Sequence, residues 1–377
     1  MKILLIGSDR ELFKPSSAVA QRMIKYGELA GQISVVVFTA QKFQPVVLSD
    51  KVKVYPTNSS SKLGYVFDAI KIGARIVKER GIEVISTQDP FEAGLVGYWL
   101  KKRFAVALNL QIHGDFFSGN YYWRAYWLNK IRLLIAKIVL PHADSIRVVS
   151  RRLADSLAKL KVKSEKIVIV PIYVDTGKLV QEPVTIDLHQ EFPGKFIILA
   201  VGRLVKEKNL NLLIETVSRL TKENHQVALA IVGGGKEENN LKSDVRRLKL
   251  EDKVKFYGWQ ENLGTFYKTA DVLVITSQAE GYNRTAIEAM SCGLPVIMTD
   301  VGLAGEIIKD GFNGKVLATA SPTELAQTIQ DLIRNPESRL LLGQNALATI
   351  KSLPNQEQNL ALYLQSWQLA KENHERK

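Results

Sequence analysis

The amino-acid sequence predicts an α/β protein made of two domains, each built around a parallel sheet. Short apolar or β-branched runs alternate with helical patterns, and the alternation restarts midway along the chain. This order is typical of parallel strands joined by crossover helices. The length of 377 residues also favours two domains, because one hydrophobic core rarely extends over so long a chain.

The first half shows the alternation over residues 1–180, which we assign to an N-terminal domain. Short apolar runs predict strands at residues 3–6, 33–38, 52–55, 84–87, 105–112, 145–149 and 167–170. Helical patterns separate most of these runs, at residues 17–30, 65–78, 91–102, 125–140 and 151–160.

The second half repeats the pattern over residues 195–354, which we assign to a C-terminal domain. Its predicted strands lie at residues 196–201, 227–232, 254–257, 272–275, 295–298 and 315–317. Residues 181–194 lack clear periodicity and contain two prolines, so they are interpreted as a linker. Residues 355–377 form a terminal segment with a helical pattern over residues 356–372.

The charge of the chain is distributed unevenly. Residues 1–180 contain 28 Lys and Arg against 14 Asp and Glu, a net charge of +14, whereas residues 181–377 contain 23 against 24. A lysine-rich background with solvated faces would raise both halves. The asymmetry therefore favours an anionic partner for the first half.

The chain has one cysteine, Cys292, which excludes an internal disulfide and favours a cytoplasmic location. No apolar run approaches the roughly 18 residues of a membrane-spanning helix. Residues 1–7 are too short for a signal-peptide core with a cleavage site and predict a first strand. We expect a cytoplasmic protein, either free or peripheral at the inner face of the membrane.

Two cations follow the first strand of the second domain. Arg203 and Lys208 lie five residues apart in the loop that begins at Gly202. Ligands of parallel sheets bind at the carboxyl ends of the strands, so both side chains can reach the same phosphates. An Arg fork and a mobile Lys charge suit a diphosphate. The alternative is that both are solvated surface cations.

Two carboxylates, Glu280 and Glu288, lie eight residues apart after the predicted strand 272–275. A helical pattern over residues 285–291 places a helix N-terminus between them, with Asn283 as N-cap. Such a terminus attracts anions. The alternative is that the two carboxylates only complement the helix dipole.

The loop 202–209 and the Glu-x7-Glu spacing closely resemble the retaining glycosyltransferases of family 4. The likeness extends over nearly the whole chain and is strongest in residues 196–317. It implies the GT-B architecture, two Rossmann-like domains facing a central crevice, with the last helix crossing back to the first domain. A nucleoside-diphosphate-sugar donor would bind mainly to the second domain and the acceptor to the first.

The resemblance also implies roles for individual residues. Arg203 and Lys208 would stabilise the leaving diphosphate, Glu280 would contact sugar hydroxyls, and Glu288 would contact the nucleotide ribose. Further donor-binding residues implied by the resemblance are Gly202, Gly234, Trp259, Gly281, Tyr282, Asn283 and Arg284. The triplet 282–284 departs from the Phe-Gly-aliphatic sequence of the family, so Arg284 either adds a cation at the phosphates or points to solvent.

In the first domain, His113 ends a predicted strand. A lone histidine is often a structural hydrogen-bonding group, but the resemblance implies a catalytic contact with the donor sugar near the reacting carbon. Acceptor-binding residues are expected to be Ser16, Ser17, Gln88, Asp89 and Asp115. Helix capping is an equal alternative for Asp89, which precedes Pro90, and an open one for Ser16 and Ser17.

Residues 116–132 interleave aromatic side chains with cations. The pattern suits contact with a lipid interface, a buried helix, or stacking on nucleic acid.

Taken together, these features predict a retaining glycosyltransferase that uses a UDP-sugar or GDP-sugar. The expected acceptor is a hydroxyl of a lipid-linked saccharide or polysaccharide precursor. No two aspartates are separated by a single residue, so the Asp-x-Asp metal motif is missing from the sequence and we expect no metal cofactor. A nucleotide-sugar 2-epimerase of the same architecture and a basic nucleic-acid-binding protein are the alternatives.

Overall fold

The computed structural model describes residues 1–40, 42–117, 122 and 127–376. The chain divides into two units. Unit 1 comprises Met1–Pro171 with Pro354–Lys377, and unit 2 comprises Ile172–Leu353.

Among the described residues, unit 1 has eight strands. They are β1 Lys2–Gly7, β2 Gln32–Val37, β3 Val46–Ser49, β4 Val52–Pro56, β5 Val84–Thr87, β6 Ala107–Ile112, β7 Ser145–Val148 and β8 Ile167–Ile169. Their order in the sheet is β3-β4-β2-β1-β5-β6-β7-β8. Every neighbouring pair is parallel except β3 and β4. The sequence analysis missed β3, a short edge strand whose residues are only partly buried.

The helices of unit 1 lie between these strands, apart from the last one. They are α1 Ala18–Ala30, α2 Tyr65–Arg80, α3 Glu92–Phe104, α4 Trp127–Val139 and α5 Arg151–Ala158. Of the segment 116–132, residues 118–121 and 123–126 lie outside the described residues. These include Trp123 and Arg124, together with the predicted start of the helix 125–140.

Unit 2 contains six strands, and all of its residues are described. They are β9 Phe196–Val201, β10 Val227–Val232, β11 Val254–Gly258, β12 Val272–Ile275, β13 Val296–Thr299 and β14 Lys315–Leu317. The sheet is wholly parallel, with the order β11-β10-β9-β12-β13-β14. Its four inner strands β10, β9, β12 and β13 are apolar on both faces, as expected for a parallel sheet covered by helices on each side.

The helices of unit 2 include two short ones that precede its first strand. The full set is α6 Thr176–Gln181, α7 Leu188–Glu191, α8 Leu210–Lys222, α9 Glu238–Arg247, α10 Gly264–Thr269, α11 Arg284–Ser291, α12 Pro322–Arg334 and α13 Pro336–Lys351.

The boundary between the units differs from the predicted linker at residues 181–194. Unit 2 begins at Ile172, and α6 and α7 belong to it. Leu179, Leu188 and Phe192 are buried in the same apolar core as the strand residues of β9. The segment lacked a periodic pattern because only a few isolated side chains anchor it.

The last helix, α14 Gln356–Glu375, packs in unit 1. Its Trp367 is fully buried, and the indole Nε1 donates a hydrogen bond of 3.2 Å to Ser86 Oγ on β5. Ser366 O accepts a hydrogen bond of 2.7 Å from Ser145 Oγ on β7. Buried polar groups of the sheet therefore form hydrogen bonds with α14. These directional contacts fix the position of the helix on the sheet, in addition to the burial of its apolar side chains.

No helix in the described parts of the chain combines the length and the apolar character needed to cross a bilayer.

Candidate active site

The loops that follow β9 and β10 approach each other closely at the carboxyl edge of the unit 2 sheet. Gly202 has φ +149°, and a Cβ atom placed on Gly233 would lie 1.9 Å from Gly202 O. Only glycine fits at these two positions. Gly234, in contrast, has open space around its missing side chain, so a ligand can come near the backbone there.

Lys208 and Glu280 form an ion pair between the loops that follow β9 and β12. The side chains are 22% and 11% exposed, so neither is a freely solvated surface charge. Ser277 Oγ donates a hydrogen bond of 2.7 Å to the same Glu280 oxygen. Thr276 Oγ1 donates to Lys208 O at 2.8 Å, which ties the two loops together. Arg203, by contrast, is exposed.

These groups line one pocket of unit 2 with an empty volume of about 330 Å³. Arg203, Lys208, Glu280 and Asn283 all contribute to its wall. Asn283 caps α11, accepting from Ala286 N at 3.3 Å, while its buried Nδ2 has no hydrogen-bond partner among the described residues. A donor without a partner costs free energy, so this Nδ2 at the pocket wall is suited to a ligand acceptor.

Glu207 is a third carboxylate at this site, and the sequence analysis missed it. Burial raises its pKa, and the nearby Glu280 raises it further, while Lys208 and Arg203 act in the opposite direction. Its position next to Lys208 in the loop is the signal that could have pointed to it.

Glu288 lies in α11 and is almost fully buried. Tyr267 Oη donates a hydrogen bond of 2.9 Å to Glu288 Oε2, and Arg284 Nη2 lies 3.5 Å from Oε1. Burial raises the pKa of Glu288, while Arg284 and the Tyr267 hydrogen bond lower it. Arg284 is therefore placed beside Glu288. Tyr267, which no sequence pattern indicated, positions the carboxylate.

The remaining donor-side residues lie in loops around this edge. Trp259 follows β11 and is highly exposed, directly after Gly258, whose φ is +67°. Tyr282 is buried, and Gly281 is partly exposed. Neither Trp259 nor Glu288 lines the pocket that contains Lys208.

His113 follows β6 in unit 1 beside a buried cation. Arg147 Nη1 lies 3.4 Å from each ring nitrogen of His113 and donates to Gln111 Oε1 at 3.2 Å. Arg147 Nη2 donates to Val170 O at 3.0 Å. Burial, the charge of Arg147 and that of Arg22 lower the pKa of His113 to about 3. His113 is therefore a neutral imidazole at neutral pH. The sequence analysis did not single out Arg147.

Two of the predicted acceptor-binding residues bind backbone N–H groups at the start of helices. Asp89 accepts hydrogen bonds from Phe91 N at 2.8 Å and Ala93 N at 3.2 Å, and burial raises its pKa to about 6. Ser17 accepts from Ala20 N at 3.1 Å as N-cap of α1. For Ser17 the capping alternative describes the structure. Asp89 binds N–H groups at the start of α3, but the N-cap of that helix is Phe91, so Pro90 does not occupy its first position.

The other three predicted acceptor-binding residues are Gln88, Ser16 and Asp115. Gln88 fills the space left by Gly7, where a Cβ atom would lie 2.0 Å from Gln88 Oε1. Ser16 is exposed, and Asp115 is partly exposed two residues after His113.

Among the described residues, no three His, Cys, Asp or Glu side chains are placed together so that they could hold a metal ion.

Two protein-family models match the chain. The model described as "Glycosyltransferase Family 4" matches residues 15–178, and the model described as "Glycosyl transferases group 1" matches residues 185–349. The matches fall almost entirely in different units of the structure, since residue 171 ends the first part of unit 1.

Curated relatives are similar over shorter or longer parts of the chain. An uncharacterised glycosyltransferase of Methanocaldococcus jannaschii is 28% identical over 75% of this chain and 74% of that protein. The alpha-monoglucosyldiacylglycerol synthase of Streptococcus pneumoniae is 25% identical over 63% of this chain and 56% of its own length. The lipopolysaccharide core biosynthesis glycosyltransferase LpsE of Rhizobium meliloti is 27% identical over 56% and 61% respectively. The chain thus spans less than two thirds of the last two.

Solved structures share the fold at low sequence identity. Sucrose-phosphate synthase from Thermosynechococcus elongatus superposes with a TM-score of 0.80 at 22% identity over the whole of both chains. The Anabaena protein HepE, crystallised in complex with UDP, gives a TM-score of 0.74 at 20% identity over 97% of this chain and 98% of that one. These likenesses confirm the predicted fold.

Proposed function

We propose that the chain, which belongs to the glycosyltransferases of the GT-B fold, transfers a sugar from a nucleoside-diphosphate donor to a hydroxyl acceptor with retention at the anomeric carbon. Its membership is shown by a family 4 model that matches its first half and a group 1 model that matches its second. UDP is the preferred nucleotide in this proposal, because HepE was crystallised with UDP, and GDP is the alternative.

The meeting of Lys208 and Glu280 in one pocket is the observation that carries the proposal. A leaving diphosphate develops negative charge, which a cation at fixed distance stabilises. Sugar hydroxyls are good donors to a carboxylate. Lys208 and Glu280 supply these two functions side by side, and Ser277 holds Glu280 in place.

Arg203 completes the phosphate site in this proposal. It is exposed at the pocket wall, so its fork is available to diphosphate oxygens. Asn283 Nδ2 and the N-terminus of α11 add donors from the next loop. These groups act as fixed positive charge, and the proposal therefore requires no metal ion.

The nucleoside would lie beyond the phosphates. We assign Glu288 to the ribose hydroxyls. Tyr267 donates its hydrogen bond to Oε2 of this carboxylate, so Oε1 can accept from both Arg284 and a ligand. Gly234 and Trp259 are assigned to the nucleotide and its base. His113, held neutral, is assigned to a sugar hydroxyl as a hydrogen-bond partner.

Retention follows if the acceptor hydroxyl attacks on the face from which the diphosphate departs. The bond from the anomeric carbon to the phosphate oxygen breaks as the bond to the acceptor oxygen forms. The departing phosphate takes the acceptor proton. No side chain of the protein serves as a nucleophile in this scheme.

The proposed acceptor is a lipid-linked saccharide or polysaccharide precursor at the inner face of the membrane. The net charge of +14 in the first half supports an anionic surface as partner. Two relatives, an alpha-monoglucosyldiacylglycerol synthase and a lipopolysaccharide core biosynthesis glycosyltransferase, support the same class of acceptor.

Calorimetry of the full-length protein with UDP, GDP and ADP tests the nucleotide. We expect UDP to bind at least tenfold more tightly than the other two; tighter binding of GDP would favour the alternative donor, and tighter binding of ADP would contradict both. Arg203→Ala should weaken UDP binding, whereas Lys206→Ala, an exposed cation of the same loop, should not. Binding of none of them would overturn the proposal, and conversion of a donor sugar without acceptor would favour the epimerase alternative.

A further inference from the structure

Helix α4 exposes an unusual amount of apolar surface. Ala136 and Val139 face the interior of unit 1, yet Trp127 is 70% and Leu134 61% exposed. The exposed large apolar residues of the helix are Trp127, Leu128, Ile131, Leu134 and Ile138, which we call the α4 stripe. Intervals of three to four residues separate Trp127, Ile131, Leu134 and Ile138, which places these four on one helix face with Leu128 beside it. Within the segment 116–132, the buried-helix interpretation is therefore wrong for residues 127, 128, 130 and 131, which are exposed.

Cations border the α4 stripe along one side. Lys130 and Lys137 lie seven residues apart, which is two helical turns, and both are exposed. The helix thus combines an apolar face with flanking positive charge, the arrangement found in helices that lie in a membrane interface.

A basic groove begins where the helix ends. Lys137 lines it together with Lys159, Lys161, Lys163 and Lys166, and its floor is apolar, with Leu140, Pro141, Leu160 and Val162. The empty volume is about 970 Å³. We call this the lysine groove.

Cations outnumber carboxylates in the part of the chain that carries these lysines. Lys163 Nζ lies 3.5 Å from Glu165, and Lys166 Nζ donates to Ala143 O at 2.8 Å. Over residues 127–170 the chain has ten Lys and Arg against three Asp and Glu. The lysines around the apolar floor repel one another. An anion bound in the groove would reduce this repulsion and so lower the free energy of the folded protein.

We propose that the α4 stripe and the lysine groove together form a docking surface for an anionic membrane. The stripe enters the boundary between headgroups and acyl chains, and the groove binds the phosphate of an anionic lipid. This inference rests on the proposed function only in that it places the enzyme where a lipid-linked acceptor resides. Membrane docking and sugar transfer are tested by separate measurements.

A membrane explains the surface better than other partners. The described part of the stripe has one aromatic residue, Trp127, and four aliphatic ones, which cannot stack on nucleic-acid bases as rings do. A second copy of this chain would bring the same positive charge to the contact and be repelled. A lipid bilayer offers both an apolar layer and phosphate anions at the required depth.

Co-sedimentation of the full-length protein with vesicles tests the proposal. Vesicles of phosphatidylcholine alone are compared with vesicles that also contain phosphatidylglycerol, at low and high salt. We expect binding only to the anionic vesicles, decreasing as salt rises. Equal, negligible sedimentation with both compositions at low salt would overturn the proposal, as would binding to RNA without binding to vesicles.

Matched variants locate the surface. Lys137→Gln with Lys159→Gln should weaken binding more than tenfold, because each lysine near an anionic surface contributes roughly fivefold. The control is Lys71→Gln with Lys78→Gln, which removes two exposed lysines of α2. Leu134→Ser should weaken binding to anionic vesicles, whereas Leu63→Ser, at a residue that is even more exposed elsewhere in unit 1, should not. Equal losses in the tests and the controls would contradict this placement.

Nucleotide calorimetry on the same variants separates this inference from the proposed function. UDP affinity should stay within twofold of the unmodified protein, because none of the six substituted residues belongs to the pocket of unit 2. Vesicle binding without nucleotide binding would leave the docking surface standing and reject the enzymatic proposal. The reverse result would reject the surface alone.

Discussion

The guanidinium carbon of Arg147 lies 4.2 Å from the centre of the Tyr363 ring, so a buried cation of the unit 1 sheet stacks on an aromatic ring of α14. The same guanidinium approaches the His113 ring nitrogens at 3.4 Å. A cation at this distance disfavours a second positive charge, which adds to the effect of burial on the pKa of His113. The C-terminal helix therefore helps to keep this histidine neutral.

The first prediction concerns the pH dependence of stability. His113 titrates at about 3 in the folded protein, below the ordinary value of 6.5. Between these values the unfolded chain binds the extra proton, so the contribution of His113 to stability is lost as the pH falls. The difference in free energy of unfolding between the unmodified protein and His113→Asn should change by roughly 1–2 kcal/mol from about pH 7 to pH 5. Urea denaturation measures it.

The comparison with His113→Asn is necessary because the titration of Asp89 changes stability with pH in the opposite direction. Its pKa is raised to about 6, so between 3.8 and 6 the folded state binds more protons and stability falls as pH rises. Subtracting the variant removes this common contribution. A difference that stays constant with pH would mean that His113 titrates normally.

A second prediction tests the partner. Arg147→Met should raise the pKa of His113, observed by NMR titration of the ring protons. The rise should be partial, because burial, the larger cause, remains. The variant should also lose about 1–3 kcal/mol of stability, since Gln111 and Val170 O lose a buried donor. An unchanged pKa would show that Arg147 does not act on His113.

Hydrophobic runs predicted nearly all the strands of both sheets, because a buried parallel strand is a short continuous apolar segment. The edge strand β3 escaped notice, since it is half-exposed and pairs antiparallel beside β4. The boundary at Ile172 was also missed, because α6 and α7 are anchored by single apolar side chains without a repeating pattern.

The candidate site was likewise predicted only in part. The loop positions of Arg203, Lys208, Glu280 and Glu288 were visible in the sequence, because each follows a strand in a fixed spacing. The pairing of Lys208 with Glu280 and the hydrogen bond from Tyr267 to Glu288 were not visible. These contacts join residues 72 and 21 positions apart. The neighbouring strands β9 and β12 bring Lys208 and Glu280 together, and the packing of helices α10 and α11 brings Tyr267 to Glu288.

A third prediction separates the two phosphate cations. Arg203→Ala and Lys208→Ala should each lower turnover about 100-fold or more, by analogy with other groups that stabilise developing negative charge. Only Lys208→Ala should also reduce stability, by about 1–3 kcal/mol, because it leaves Glu280 largely buried without its cation. Arg203 is exposed, so its loss should leave the melting temperature unchanged. Near-normal turnover in both variants would reject the site.

A fourth prediction concerns metal ions. If Arg203, Lys208 and the α11 N-terminus supply the positive charge, transfer should retain most of its rate in excess EDTA. The assay follows release of the nucleoside diphosphate with and without the chelator. Loss of activity that manganese or magnesium specifically restores would contradict the metal-free proposal.

The fifth prediction assigns separate roles to the two glutamates of α11 and its preceding loop. Glu288→Ala should mainly weaken binding of free UDP, because Glu288 is assigned to the ribose, and calorimetry should show a loss of about tenfold or more. Tyr267→Phe should give a smaller loss of UDP affinity, since it removes only the hydrogen bond that orients Glu288 Oε2. Glu280→Gln should leave UDP affinity nearly unchanged and lower turnover with the sugar donor, because Glu280 is assigned to sugar hydroxyls that UDP lacks. A greater loss of UDP affinity in Glu280→Gln than in Glu288→Ala would reverse the assignment.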